Sequence, residues 1–114
     1  MVKTSSIENL QAREPISISE SRDLAELLQT LGDPTRLRIL TALESVCISV
    51  TSITEVTGVR QPSVSHHLRI LRDRGLVIAE RRGGFVYYCL ANEGLRTALD
   101  ALGSLTALES KSIR

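Results

Sequence analysis

The 114-residue chain has no tryptophan, one phenylalanine and two tyrosines, so aromatic packing cannot build most of its core. All three aromatics, Phe85, Tyr87 and Tyr88, sit together, which leaves Leu, Ile, Val and Ala for the interior elsewhere and favours helices. Cysteine is scarce as well. Cys47 and Cys89 are too few for the scaffold of a disulfide-rich small protein. No apolar run approaches the ~20 residues that span a bilayer, and Met1-Val-Lys-Thr-Ser-Ser leads into polar sequence in place of the apolar stretch of an export signal. Membrane and export readings are therefore set aside. The expectation is a cytoplasmic protein whose two cysteines are thiols.

What is present is ordinary globular material, 42% hydrophobic and 24% charged, at a length that suits one domain. The formal net charge of +1 hides an uneven distribution. Between residues 60 and 82, six arginines (Arg60, Arg69, Arg72, Arg74, Arg81, Arg82) stand against Asp73 and Glu80, a local +4 that leaves −3 for the rest. A solvated helix surface would explain each arginine alone. Together, a basic block on a near-neutral chain points to a polyanion such as a phosphate backbone.

Residues 1–18 show no sustained period and are expected as a loose arm, held down by Ile16 and Ile18. Residues 19–109 are read as the folded domain and 110–114 as a tail. Leu24, Leu27, Leu28 and Leu31 recur at helical spacing after a cap at Ser19 or Ser21, and Gly32 ends that helix. Asp33-Pro34 opens a second helix through Leu37, Leu40 and Leu43, ending near Glu44 or Ser45. Cys47-Ile48-Ser49-Val50 predicts a small strand, and Ser52 with Glu55 a capping box for a third helix that stops at Gly58. Gln61-Pro62 opens a fourth, with Val64, Leu68 and Leu71 along one stripe and Gly75 closing it. Two strands follow around Gly83-Gly84, a dipeptide suited to the positive-φ positions of a hairpin turn. Asn92 caps a last helix with Leu95, Ala98, Leu99, Leu102, Leu105 and Leu108 down one side. That is more apolar face than one small domain buries, so a second copy of the chain is the expected partner.

This order is that of a mainly α winged helix-turn-helix with a small antiparallel β-wing. Leu31-Gly-Asp-Pro-Thr-Arg-Leu-Arg-Ile-Leu40, Gln61-Pro-Ser-Val-Ser-His-His-Leu-Arg-Ile-Leu71 and Gly75-Leu-Val-Ile-Ala-Glu-Arg-Arg-Gly83 resemble the arsenic-repressor/metallothionein-repressor (ArsR/SmtB-type) family of bacterial regulators, over about residues 20 to 108. The resemblance implies a homodimeric repressor, paired through its first and last helices, that leaves its operator on a signal. The residues reach DNA independently. With Val64, Leu68 and Leu71 inward, the fourth helix turns Pro62, Ser63, Ser65, His66 and Arg69 outward. Arg60 and Gln61 stand at its N-terminus, where a helix-turn-helix meets base edges that Arg and Gln can read bidentately. Arg81 and Arg82 flank the wing turn and suit backbone or minor-groove contact. Candidate DNA-binding residues are thus Arg60, Gln61, Ser63, Ser65, His66, Arg69, Arg81 and Arg82. His67, nearer the apolar stripe, is read as a hydrogen-bonded semi-core residue.

The signal is less constrained. Where metal sensors of the resembled family carry Cys-Val-Cys, this chain has Ser49, Val50 and Thr51, and its last helix has no histidine, so both familiar metal sites are missing. No metal ligand or cofactor is assigned. Cys47 and Cys89 are the candidate sensing residues. In winged helices the short strand typically pairs with the second wing strand, which brings the two thiols together, and strand parity leaves Cys89 partly accessible. A thiol redox or sulfur-species switch, a small-molecule inducer, an atypical metal site and a protein-interaction module all remain open. A thiol enzyme using either cysteine with His66 or His67 fares worst, because no acid–base arrangement accompanies them.

Overall fold

A computed structural model describes residues 11–113, with side chains described as far as residue 106. Five helices and one hairpin follow in order: α1 Ile18–Leu31, α2 Pro34–Ala42, α3 Val50–Thr57, α4 Gln61–Asp73, β1 Val77–Arg82, β2 Phe85–Leu90 and α5 Glu93–Ile113. This is the expected winged helix-turn-helix. Residues 1–10 of the expected arm and the side chain of Leu108 lie outside the described residues. Ile16 and Ile18 do not tuck down; both are exposed.

Local chemistry sets each boundary. Ser17, and neither Ser19 nor Ser21, caps α1, because only Ser17 has a glutamate three residues on: its Oγ accepts from Glu20 N at 3.0 Å and Glu20 Oε1 accepts from Ser17 N at 3.0 Å. Asp33 caps α2, its Oδ2 accepting from Arg36 N at 3.0 Å with Pro34 at the first helical position. That bond holds the Asp33 carboxyl below its ordinary pKa. The helix stops at Ala42, short of the expected end near Glu44 or Ser45.

The third helix also starts elsewhere than predicted. Ile48 N donates to Tyr88 O at 3.0 Å and Tyr88 N to Ile48 O at 2.8 Å, a single antiparallel bridge in place of a strand. Held extended there, the chain turns helical at the next opportunity, so Ser49 caps α3 by accepting from Ser52 N at 3.2 Å, and the Ser52–Glu55 box does not form. Gly58, at φ 71°, closes α3 and leads through a tight turn into α4.

The core lies where α2, α3 and α4 meet, with Ile39, Leu40, Ile53, Val64, Leu68 and Leu71 almost fully buried. At about 1.5–3 kcal/mol for each such side chain, this cluster supplies the main force that orients α4. The predicted α4 stripe is buried in full. The hairpin registers Val77 on Leu90, Ile78 on Cys89 and Arg82 on Phe85, with Gly83 and Gly84 at φ 53° and 88°. Asn92 Oδ1 accepts from Leu95 N at 2.9 Å and so starts α5. Leu31 of α1 and Leu95 and Leu99 of α5 are buried. Leu24, Leu27, Leu28, Leu102 and Leu105 remain exposed on this single chain.

Candidate nucleic-acid interface

Burial of Val64, Leu68 and Leu71 leaves the other side of α4 in solvent. Gln61, Pro62, Ser65, His66 and Arg69 are all exposed, and Pro62, Ser65, His66 and Arg69 line one shallow depression. Ser63 is half-buried, short of the outward position expected of it. Arg60 is the N-cap of α4 but makes no side-chain cap bond, which leaves its guanidinium uncommitted at the helix start. Among the described residues, no hydrogen bond or ion pair engages the side chains of Arg60, Arg69, Arg72 or Arg81. A second cleft, between α4 and the hairpin, brings Ser65, Arg69 and Arg72 beside Tyr88. Positive charge without internal partners, beside hydroxyl, amide and imidazole groups, suits a ligand of phosphates and base edges.

The wing is less free. Arg82 donates to Glu80 Oε1 through Nε at 3.0 Å and again through Nη2, and its guanidinium lies 5.6 Å from the Tyr87 ring centroid. Arg81 is exposed beside it.

Arg36, within the Leu31–Leu40 motif, braces α4, a role that sequence spacing does not signal. Its Nε donates to Thr30 O at 2.7 Å, and its Nη1 lies 3.3 Å from His67 Nδ1. One guanidinium thereby ties the ends of α1 and α2 to the middle of α4. Since arginine only donates, Nδ1 accepts and the imidazole proton sits on Nε2. Burial, with Arg36 adding to it, depresses the His67 pKa against the pull of Asp33, in keeping with a neutral ring. His67 is half-buried as expected, and His66 is exposed.

The cysteines depart from expectation in two respects. They are joined as a disulfide, not present as two thiols, with Cα atoms 4.4 Å apart. Cys89 is buried, with 7% of its surface exposed, not partly accessible. Parity correctly separates it from the neighbouring residues of β2, but the Ser45–Cys47 segment and the start of α5 cover its side of the hairpin, and Leu43, Val46, Asn92 and Arg96 line the pocket beside the pair. Cys47 is half-buried. The expected juxtaposition holds because the Ile48–Tyr88 bridge brings the neighbouring residues side by side. Glu80, which nothing in the sequence pattern links to the cysteines, reaches the same spot.

A family model described as "Bacterial regulatory protein, arsR family" matches residues 33–79, from the α2 cap into β1. The chain is 38% identical to the HTH-type transcriptional regulator NmtR of Mycobacterium tuberculosis, over 75% of its own length and 72% of the relative's. It is 44% identical to the HTH-type transcriptional regulator CmtR of the same species, over 69% of this chain and 67% of that one. Among solved structures, the AntR antimony-specific transcriptional repressor superposes with a TM-score of 0.76 at 30% identity, covering 91% of this chain and 94% of that one. With sequence, fold and exposed basic helix in agreement, the chain belongs to the arsR family of bacterial regulatory proteins.

Proposed function

We propose that the chain acts as a homodimeric transcriptional repressor that reads an inverted-repeat operator and is released by oxidation of Cys47 and Cys89. The observation that carries this reading is α4 itself: packed along Val64, Leu68 and Leu71, it offers Gln61, Ser65, His66 and Arg69 to solvent directly after the α3 turn. Gln61 at the helix start reads a base edge, Arg60, Ser63, Ser65 and His66 contact bases or phosphates, and Arg69 holds the backbone. Arg81 and Arg82 grip the flanking groove from the wing. The exposed leucines of α1 and α5 support pairing of two copies, since both helices present them beside buried Leu31, Leu95 and Leu99. A two-electron oxidant such as a peroxide, reduced to water or alcohol as it accepts two electrons and two protons from the thiols, joins Cys47 to Cys89; the bond ties the approach to α3 to β2 and alters the spacing between α4 and the wing.

The test is fluorescence anisotropy on the DNA upstream of the chain's own gene, with reduced and disulfide-bonded protein across a salt series. The reduced dimer should bind two half-sites about one helical turn apart, or a multiple of that, with affinity falling steeply as salt rises. Arg69→Ala should lower the log–log salt slope by about one, and Gln61→Ala should cost about 1–3 kcal/mol at one base pair. Salt-independent binding would overturn the DNA reading. Equal affinity of the two redox forms would overturn the switch alone.

A further inference from the structure

The cysteine pair has a third neighbour that neither a structural disulfide nor a thiol switch requires. Both Sγ atoms and a carboxylate oxygen of Glu80 lie within 4.8 Å of one another. The hairpin register explains the convergence. Ile78 pairs with Cys89 and Glu80 follows two residues on, so Glu80 and Cys89 point to the same face of the sheet. Cys47 is delivered to that face by the adjoining Ile48–Tyr88 bridge. Three potential ligands thus arrive from β1, β2 and the segment bridged to β2.

We infer that the reduced form of this trio is a binding site for a thiophilic divalent cation such as zinc or cadmium. The donor set is two thiolates and one carboxylate, which favours such ions over calcium or magnesium. Spacing agrees. With Cα atoms 4.4 Å apart, the sulfurs, once unlinked, need to separate only to the edge of a tetrahedron with ~2.3 Å bonds, about 3.8 Å. Glu80 is also prepared. Both Arg82 hydrogen bonds fall on Oε1, which orients the carboxylate while Oε2, among the described residues, accepts none. The half-exposed Glu80 and half-buried Cys47 leave a route in from solvent.

Loading follows in two balanced steps. A dithiol reductant passes two electrons and two protons to Cys47 and Cys89 and itself becomes a disulfide. The cation then displaces both thiol protons and takes Glu80 as its third protein ligand, with solvent completing the tetrahedron. Oxidation and metal binding therefore exclude each other. The inference rests on the proposed function only for the existence of a dithiol state, and requires no operator.

The experiment is an anaerobic titration of the reduced full-length chain with cadmium chloride, following the thiolate-to-cadmium charge-transfer absorption and proton release. One equivalent per chain should saturate a band of two-thiolate intensity and release two protons, and the disulfide-bonded chain should give no band. Glu80→Gln, at a half-exposed position that leaves the fold intact, should weaken binding at least about tenfold, the loss usual for even an outer partner of a metal site. Arg69→Ala should bind as the wild type does. No band in the reduced wild type, or equal affinity in Glu80→Gln, would overturn the site. Because the readout is the metal spectrum, either result leaves the operator reading to its own anisotropy test.

Discussion

Reducing the Cys47–Cys89 bond should have a stability effect that can be worked from the structure. The two residues are 42 apart in sequence, and the loop they close holds α3, α4 and most of the wing. Cross-linking a loop of that length removes about 13 cal/mol/K of chain entropy from the unfolded state, or about 4 kcal/mol near 25 °C. With a urea slope of about 1.5 kcal/mol/M, ordinary for a small chain, reduction should lower the unfolding midpoint by roughly 2–3 M. The assay is urea unfolding followed by far-ultraviolet circular dichroism at one fixed protein concentration, with and without a thiol reductant. Cys47→Ser serves as control, since its midpoint should match that of the reduced wild type and ignore the reductant. Coincident midpoints for oxidised and reduced wild type would refute the loop-entropy reasoning. A reductant effect that persists in Cys47→Ser would show that the bond is not the cause.

Four further outcomes are expected. His67 has its pKa lowered by burial, so the native state resists protonation and stability should fall as pH drops below the ordinary histidine value of 6.5. His67→Gln should abolish that slope in a pH series of denaturant midpoints. Asp33, whose carboxyl is lowered by its bond from Arg36 N, acts in a separate window, its contribution disappearing only in acid below its ordinary value of 3.8. Ile53→Ala removes a fully buried side chain where α3 meets the core and should cost about 2–5 kcal/mol by urea melt. Gly84→Ala places a Cβ at φ 88° in open space, so its cost, about 1–2 kcal/mol, is purely conformational and should appear as a lower thermal midpoint.

Legibility in the sequence followed the range of the forces involved. The α4 stripe, the Gly75 stop and the Gly83-Gly84 turn depend on spacing and φ alone and were readable directly. The α1 cap was equally local. Ser17 and Glu20 form their box three residues apart, and it was obscured only by Ser19 and Ser21 nearby. The start of α3 was not local, because Ser49 becomes the cap only once Ile48 is pinned to Tyr88, forty residues on. Burial of Cys89 likewise depends on the segment laid across the hairpin, and parity carries no information about that cover. The same holds at the site. The exposed residues of α4 were named from periodicity, whereas the Arg36–His67 contact and the approach of Glu80 to the cysteines exist only in three dimensions. The exposed leucines of α1 form a helix as read, and no surface that covers them is found among the described residues.

The Ile48–Tyr88 bridge also has a mechanical meaning. It is a fulcrum: it clamps the hairpin at one level while the turn at Gly83-Gly84 extends beyond it, roughly 10–13 Å away at about 3.3 Å per residue. A tilt of about 10° at the clamp carries the tip through about 2 Å, enough to make or break an arginine–phosphate hydrogen bond. A displacement at Cys47 or Cys89, each one residue from the clamp, would by the same geometry be larger at the wing tip than at its origin.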